Sequence, residues 1–134
     1  MRQVIDTSVW IDHLRKSTPD VTRRIADAAV NDAEALLCDP VRFELLIGAS
    51  RRERPSLLRR LETMPLLQTH TLLWQEAGDL AAQASDSGLR VASIDLLIAV
   101  LCIHHDVSLT TFDSHFEKLA RLSKLRVNLL IRPS

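Results

Sequence analysis

Short apolar runs alternate with longer amphipathic stretches along this chain, and the alternation predicts strands followed by helices. Strands are predicted at residues 2–6, 35–38, 107–111 and 126–130, since each run is short, apolar and bounded by polar or turn-forming residues. A further short strand is predicted at 66–68. Strands that alternate with helices favour an α/β fold, in which a mostly parallel central sheet carries helices on both faces.

Helix limits are predicted from capping residues, Pro and Gly. Thr7 or Ser8 can cap the first helix, and Ser93 can cap the helix predicted at 94–105. Gly88 is expected just after the C-terminus of the helix at 72–87. The helix at 94–105 is apolar almost all round and is therefore expected to be central and buried. The predicted helices cover residues 7–16, a stretch starting at 17–20, 39–48, 52–63, 72–87, 94–105 and 114–123.

Four acidic residues are the most informative polar positions, because the apolar pattern should place each of them near the core. Asp6 and Asp113 directly follow predicted strands, at the edge where parallel sheets bind ligands. Asp95 opens the buried helix, and Glu44 lies inside an apolar helical run. Buried carboxylates are costly unless they are paired or bind a metal. If the four converge, the sequence predicts an oxygen-lined pocket for Mg²⁺ or Mn²⁺.

Such a pocket suits phosphodiester hydrolysis, because a bound divalent cation activates water and neutralises charge on a phosphate. Asp6 and Asp95 are predicted to be the direct ligands. Glu44 and Asp113 could complete the site, hold a second ion or orient the attacking water. The Ser8 hydroxyl is the favoured further contact of these carboxylates. Other hydroxyls within local reach belong to Thr7, Thr110 and Thr111.

Each acid also has a purely structural explanation when it is taken alone. Asp6 and Asp113 could cap helices, and Asp95 could stabilise a helix N-terminus through the dipole. Glu44 has no capping role in a helix interior, so its structural explanation is the weakest. The alternative to an enzyme is therefore a non-catalytic α/β module that binds RNA or a partner protein.

The net charge of zero conceals basic edges around an acidic centre. Fourteen of the seventeen basic residues are Arg, whose guanidinium group suits bidentate phosphate contact. Residues 42–60 hold six Arg and residues 115–134 hold five basic residues, with only Arg90 between them. A solvated helix face explains any one of these side chains, but a basic cluster beside an acidic pocket favours nucleic acid. The candidate RNA-binding residues are Arg42, Arg51, Arg52 and Arg90.

The 134 residues are expected to form one domain with its own hydrophobic core. No apolar run is long enough to span a membrane, so a cytosolic protein without membrane association is expected. Cys38 and Cys102 are far apart and flanked by apolar residues, which favours buried free thiols over a disulfide or a metal site.

Aromatic and His side chains supply further expectations. Trp10 and Trp74 lie on apolar helix faces and are expected in the core. His104 and His105 are adjacent near a helix end, and adjacent helical residues do not share a face, so they should be poor partners for one metal. His70 is expected to be an isolated surface residue.

Four segments resemble, in order, the sequence motifs of PIN-domain proteins, and in particular of VapC-type toxins from bacterial type II toxin–antitoxin systems. The first, residues 4–12, is similar to the opening of these proteins and contains the first acid. Residues 42–48 resemble the second motif, a Glu followed by an apolar turn and Gly. Residues 93–99 resemble the third, an Asp that opens a buried helix. Residues 109–113 resemble the fourth, a strand that leads from Thr to Asp, and the ordered set covers nearly the whole chain.

The resemblance implies a single PIN domain over residues 1–134, folded as a PIN-like three-layer sandwich. It also implies a toxic Mg²⁺- or Mn²⁺-dependent endoribonuclease, with Asp6 and Asp95 as principal ligands and with Glu44 and Asp113 completing the pocket. The alternative is a non-catalytic PIN-like module that binds RNA or protein.

The resemblance further implies a homodimer and a cognate antitoxin whose extended C-terminal segment blocks the site. The helices predicted within 40–63 would offer such a segment an apolar groove. Ordinary core packing explains the same apolar residues equally well, namely Phe43, Leu46, Ile47, Leu57, Leu58 and Leu61.

Overall fold

A computed structural model describes residues 1–134 and places four strands in one sheet of order β2-β1-β3-β4. The strands are β1 (Gln3–Ile5), β2 (Ala35–Leu36), β3 (Ser108–Thr111) and β4 (Val127–Leu129). Every pairing in the sheet is parallel, so the carboxyl ends of all strands meet at one edge. The predicted α/β fold with a parallel sheet is confirmed.

Seven helices connect the strands, as parallel pairing requires crossover connections. Two lie between β1 and β2, four between β2 and β3, and one between β3 and β4. None of them is both long enough and apolar enough to cross a bilayer. The helices are α1 (Thr7–Leu14), α2 (Asp20–Val30), α3 (Asp39–Gly48), α4 (Arg54–Glu62), α5 (Leu73–Asp86), α6 (Ser93–His104) and α7 (His115–Arg121).

Helix α6 is the central helix of the core, as its sequence predicts. All residues from Leu96 to Cys102 are buried, because α6 packs against α3, α5 and β3. Trp10 is fully buried, but the prediction for Trp74 is wrong, since 72 % of that residue is exposed on α5. Both cysteines are buried free thiols, as expected.

The helix starts differ from the predicted caps by one residue. Asp6 occupies the N-cap of α1 and Ala92 that of α6, so Thr7 and Ser93 are the first helical residues instead. Neither cap side chain bonds the helix backbone. Gly88 fulfils its predicted role, with a φ of 75° just after the end of α5. That left-handed conformation is the one that glycine adopts at lowest cost.

The strand predicted at 66–68 is not formed. Leu66 makes only an isolated parallel bridge to Leu37, because β2 itself is just two residues long and offers little edge to extend. The bridge consists of two hydrogen bonds, from Leu37 N–H to Pro65 O and from Leu67 N–H to Leu37 O, each 2.8 Å.

The register of the two central strands positions the acidic site. Ile5 of β1 pairs with Thr110 of β3, and the next backbone N–H, that of Asp6, donates to Thr110 O at 2.9 Å. The residues that follow this pair, Asp6 and Thr111, therefore lie side by side at the carboxyl edge of the sheet.

Candidate active site

Asp6 follows β1 directly, and it is 4 % exposed. Its Oδ2 atom accepts hydrogen bonds from Ser8 Oγ at 2.9 Å and from Thr111 Oγ1 at 2.7 Å. Burial raises the pKa of Asp6 above its ordinary value, and these two hydrogen bonds act in the opposite direction. The hydroxyls thus orient a carboxylate that burial alone would make costly to ionise.

Thr110 and Thr111 are adjacent on β3, and successive strand side chains project to opposite faces. Thr111 is the one that faces the acids, since it donates to Asp6 and accepts the backbone N–H of Asp113 at 2.9 Å. The Thr110 hydroxyl donates instead to the Gln3 side chain. The sequence left open which of the two threonines faces the carboxylates, and the strand alternation turns Thr110 away from them.

The two threonines form a matched pair for a test of the Asp6 environment. We expect Thr111→Val to destabilise the protein by about 1.5–3 kcal/mol, the usual value of a hydrogen bond to a charged group. The loss should grow as pH rises through the raised pKa of Asp6, because the deleted hydroxyl favours the ionised form. Thr110→Val should lower the free energy of unfolding by an amount that does not depend on pH. Denaturant unfolding at about pH 5 and about pH 8 measures both, and equal pH dependence would contradict the assignment.

Glu44 lies in α3 and is half-buried. Its Oε1 atom accepts a hydrogen bond from Thr7 Oγ1 at 2.7 Å. Because Thr7 is the first residue of α1 and follows Asp6, this bond brings the α3 carboxylate to the carboxyl end of β1. Helices α1 and α3 also pack against each other, which is consistent with this position of Glu44.

Asp95 lies in the first turn of α6 and is partly buried. Burial first of all, and then the negative charges of Asp6, Glu44 and Asp113, together raise the pKa of Asp95 to about 6. His115 acts in the opposite direction. Asp95 therefore lies within electrostatic range of the other three acids.

Asp113 departs from the expectation that all four acids lie near the core, because it is exposed. It follows β3 and precedes the short helix α7, where solvent has access. Its Oδ1 atom accepts the backbone N–H of His115 at 2.9 Å and so shapes the turn into α7, but Ser114 and not Asp113 is the N-cap of that helix. Its charge nevertheless reaches Asp95.

The four candidate RNA-binding arginines fall on three segments of the chain. Arg42 is half-buried in α3, two residues before Glu44. Arg51 and Arg52 are exposed between α3 and α4, and Arg90 is exposed before α6. None of the four forms a salt bridge, so their charges are free to meet an anionic ligand.

A groove of about 890 Å³ opens beside Glu44, between the end of α1 and helices α3 and α4. Its lining includes Ile11, Leu14, Leu45, Leu57 and Arg60. The six apolar residues predicted to form a docking face differ in exposure. Leu57 and Leu61 are buried, Leu46 and Leu58 are partly buried, and Phe43 and Ile47 are 55 % and 67 % exposed on α3.

A cluster of His residues that was not predicted lies at the C-terminal end of α6, opposite the end that carries Asp95. His70 was expected to be isolated, yet its ring stacks on that of His104, with 3.6 Å between centroids, and lies near His105. The only signal in the sequence is the adjacent pair His104 and His105. Their spacing does not indicate that His70, 34 residues before His104, lies beside them.

The model of the PIN domain family matches residues 4–122 of this chain. Among curated proteins, the chain is similar to VapC ribonuclease Mb1587 of Mycobacterium bovis and to ribonuclease VapC11 of Mycobacterium tuberculosis. Each is 30 % identical over 130 residues, which cover 92 % of this chain and 95 % of the relative.

Solved structures share the fold at lower sequence identity. VapBC2 from Rickettsia felis, bound to a promoter DNA fragment, gives a TM-score of 0.74 at 20 % identity and covers 97 % of this chain and 99 % of that one. VapBC-5 from Mycobacterium tuberculosis, of the VapBC family of toxin–antitoxin systems, gives 0.68 at 22 % identity, with 96 % and 98 % covered. These likenesses confirm the PIN-like architecture implied by the sequence motifs.

Proposed function

This chain belongs to the PIN-domain family as a VapC-type member, and from that premise we propose that it is a toxic, metal-dependent endoribonuclease of a toxin–antitoxin pair. The observation that supports the proposal is the buried Asp6 carboxylate at the carboxyl edge of the sheet, with Glu44 bonded to the adjacent Thr7 and with the charges of Asp6, Glu44 and Asp113 all acting on Asp95. A non-catalytic module would gain nothing from crowding like charges there. The names of the curated relatives, both ribonucleases, support the substrate class.

Asp6 and Asp95 are the proposed principal ligands of Mg²⁺ or Mn²⁺, and Glu44 and Asp113 complete the pocket. The residues fit such an ion, because every charged donor is a carboxylate and none of the four forms a salt bridge. A bound ion supplies an activated water and a counter-charge for the phosphate. Ser8 and Thr111 hold the Asp6 carboxylate in one orientation.

RNA needs cationic support in this proposal, because an acidic pocket without metal repels a phosphate backbone. Arg51, Arg52 and Arg90 are exposed and without salt bridges, so they can hold the strand near the pocket. Arg42 is the nearest of the set to an acid in sequence, and its half-buried position suits a contact close to the scissile phosphate. Binding through these residues should weaken as salt concentration rises.

Cleavage of RNA by the purified chain tests the activity. We expect turnover of a mixed cellular RNA substrate in Mg²⁺ or Mn²⁺, none in a chelator, and recovery when the ion is restored. Phosphodiester cleavage should give discrete fragments, since the proposed enzyme is an endonuclease. RNA that is retained but never cut in either ion would contradict the proposal and favour a binding module.

A cognate antitoxin is the proposed inhibitor, and the groove beside Glu44 is its proposed binding site. The groove leads to an acid of the pocket and has apolar walls, which suits an extended or helical segment that ends near the acids. Phe43 and Ile47 do not line the groove itself, but they are exposed on the same helix, each next in sequence to a lining residue. We further propose that the active unit is a homodimer, as is typical of the family.

The antitoxin contact can be separated from catalysis by substitution on α3. Phe43→Asp and Ile47→Asp should weaken inhibition by the product of an adjacent antitoxin gene at least about tenfold, since each buries a charge in the interface. RNA cleavage by the free chain should be unchanged. Trp74→Asp is the matched control, because Trp74 is equally exposed but lies on α5. If all three variants are inhibited alike, the antitoxin binds elsewhere.

A further inference from the structure

Three His side chains meet at the C-terminal end of α6, away from the acidic pocket. One ring nitrogen from each of His70, His104 and His105 lies within 4.8 Å of one from each of the others. Asp95 lies in the first turn of α6 and His104 at its last residue, nine residues later. At about 1.5 Å per helical residue, the two ends are about 14 Å apart, so this cluster is separate from the acids.

The end of the helix explains why two adjacent His residues converge. His105 is the C-cap and lies outside α6, and Asp106 adopts a left-handed conformation with a φ of 54°. Val107 N–H donates to Cys102 O at 3.0 Å and Asp106 N–H to Ile103 O at 3.2 Å, the bond pattern of a Schellman motif. The rule that adjacent residues diverge holds inside a helix, and here the chain has already turned.

Two of the three rings, those of His70 and His105, each form a hydrogen bond through one nitrogen. The oxygen acceptor in each bond fixes the tautomer of the ring. His105 Nε2 lies 2.8 Å from Gln68 O, and a carbonyl only accepts, so Nε2 carries the proton. His70 Nε2 lies 3.2 Å from Glu76 Oε1, which assigns its proton in the same way. Metal-binding His residues almost always donate their second N–H to a carboxylate or a carbonyl in this manner.

The other nitrogen of His70 has no partner. His70 Nδ1 is buried and forms no hydrogen bond, and the side chain as a whole is 13 % exposed. A buried ring nitrogen with a free lone pair is costly unless something binds it. In His105 the assigned tautomer likewise leaves the Nδ1 lone pair free.

His104 is the adaptable member. It is exposed, and its ring lies parallel to that of His70 with an interplanar angle of 4°. Parallel rings cannot both direct lone pairs at one ion, so binding requires His104 to rotate about its side-chain bonds. No hydrogen bond restrains that rotation, and the ring already lies within reach of the other two.

We propose that His70, His104 and His105 bind a transition-metal ion, with Zn²⁺ as the best-suited species. Neutral imidazole suits Zn²⁺, whereas Mg²⁺ prefers oxygen ligands, so the two sites select different ions. Three His ligands leave the fourth tetrahedral position to water. The bound ion links the segment before α5 to the turn between α6 and β3, and it stabilises the fold there.

Calorimetric titration of Zn²⁺ into the metal-free chain tests this site. We expect one ion per chain that depends on the His residues, besides any that the acidic carboxylates bind, and a raised melting temperature for the wild type. His104→Ala should lower the affinity at least about tenfold and remove the thermal shift, and its exposed position keeps the fold intact. Glu76→Gln retains all three rings but should weaken binding roughly 10–100-fold, as for other outer-shell partners.

Two controls separate this site from other sources of binding. His13→Ala removes a His that lies in α1 beside Asp27 and should leave Zn²⁺ affinity unchanged. Asp95→Asn disables the proposed catalytic pocket and should also leave it unchanged. With Co²⁺ as a probe, the visible absorption of a nitrogen-ligated ion should appear in the wild type and vanish in His104→Ala. Zn²⁺ affinity that is insensitive to His104→Ala, or lost in Asp95→Asn, would overturn the proposal.

Discussion

Asp6→Asn and Asp95→Asn should each abolish RNA cleavage while leaving the fold intact. Both substitutions keep the size of the side chain and remove its charge, so they remove a proposed metal ligand. Metal ions contribute several kcal/mol to charge stabilisation in the transition state, and a loss of about 3 kcal/mol is already about a hundredfold in rate. We therefore expect at least about a hundredfold loss, measured as initial rates in saturating Mg²⁺ with folding checked by circular dichroism.

Asp79→Asn is the matched control for these variants. Asp79 is an exposed acid in the middle of α5, it contributes nothing to the raised pKa of Asp95, and its substitution should leave the rate unchanged. Full activity in folded Asp6→Asn or Asp95→Asn would refute the assignment of the site. A loss in Asp79→Asn of the same size would show that the assay responds to net charge.

Asp113→Asn resolves the two roles of the exposed acid. Asn retains an oxygen that can accept the backbone N–H of His115, so the turn into α7 should persist. A strong loss of activity with unchanged stability would then reflect the missing charge. Activity close to that of the wild type would leave Asp113 with its role in the turn alone.

The positions of Asp6 and Asp113 at the sheet edge can be predicted from the sequence, because the rule involved is short-range and general. A carboxylate placed just after a strand of a parallel sheet must lie at the carboxyl edge, and Asp6 and Asp113 satisfy that condition from local sequence alone. Asp95 opens a helix whose all-round apolarity fixes it in the core beside the same edge. Glu44 can be recognised as a candidate site residue because a single acid inside an apolar helical run has no capping role.

The choice between Thr110 and Thr111 could not be made from the sequence. Alternation guarantees that the two face opposite ways, but not which of them faces the acids. That choice depends on the register of β3 against β1, which is a long-range property. The position of Asp113 was missed for a related reason, because apolar runs predict strands but not how far solvent reaches at their ends.

Trp74, in contrast, could have been placed correctly. The buried residues of α5 are Leu73, Ala77, Leu80 and Ala84, which follow the helical spacing of three and four. Trp74 lies one position off that stripe, so its exposure follows from periodicity once its aromatic character is set aside. His70 offers no such signal, since its partners lie more than thirty residues away in the chain.

Asp95→Asn should make the metal-free protein more stable at neutral pH, although it destroys the proposed site. The pKa of Asp95 is raised from 3.8 to about 6 in the folded chain, so the folded state holds its proton more tightly than the unfolded state. Between those two values the folded protein loses stability as pH rises, and above about 6 the whole penalty is present. The Asn side chain cannot ionise, and it avoids the penalty.

The size of the gain follows from the shift and from exposure. A shift of about two units corresponds to about 3 kcal/mol at most, at 1.36 kcal/mol per unit. Because Asp95 is only partly buried, solvent screens the interaction, and about 1–2 kcal/mol is the appropriate expectation. In a domain of this size the gain should raise the melting temperature by roughly 3–8 °C at pH 7.5 or so, and by almost nothing at about pH 4.

Adding Mg²⁺ should reverse the order of the two proteins. The wild type gains RT ln(1 + [Mg²⁺]/Kd), about 2.7 kcal/mol when the ion is present at a hundred times its Kd, whereas Asp95→Asn has lost a ligand and gains much less. The variant is thus the more stable protein in a chelator and the less stable one in Mg²⁺. Melting curves at neutral pH, with and without the ion, measure both halves of this crossing, and Asp79→Asn should follow the wild type throughout. If Asp95→Asn melts with the wild type in both conditions, neither burial nor like charge destabilises the ionised Asp95 carboxylate, and the case for a metal there fails with it.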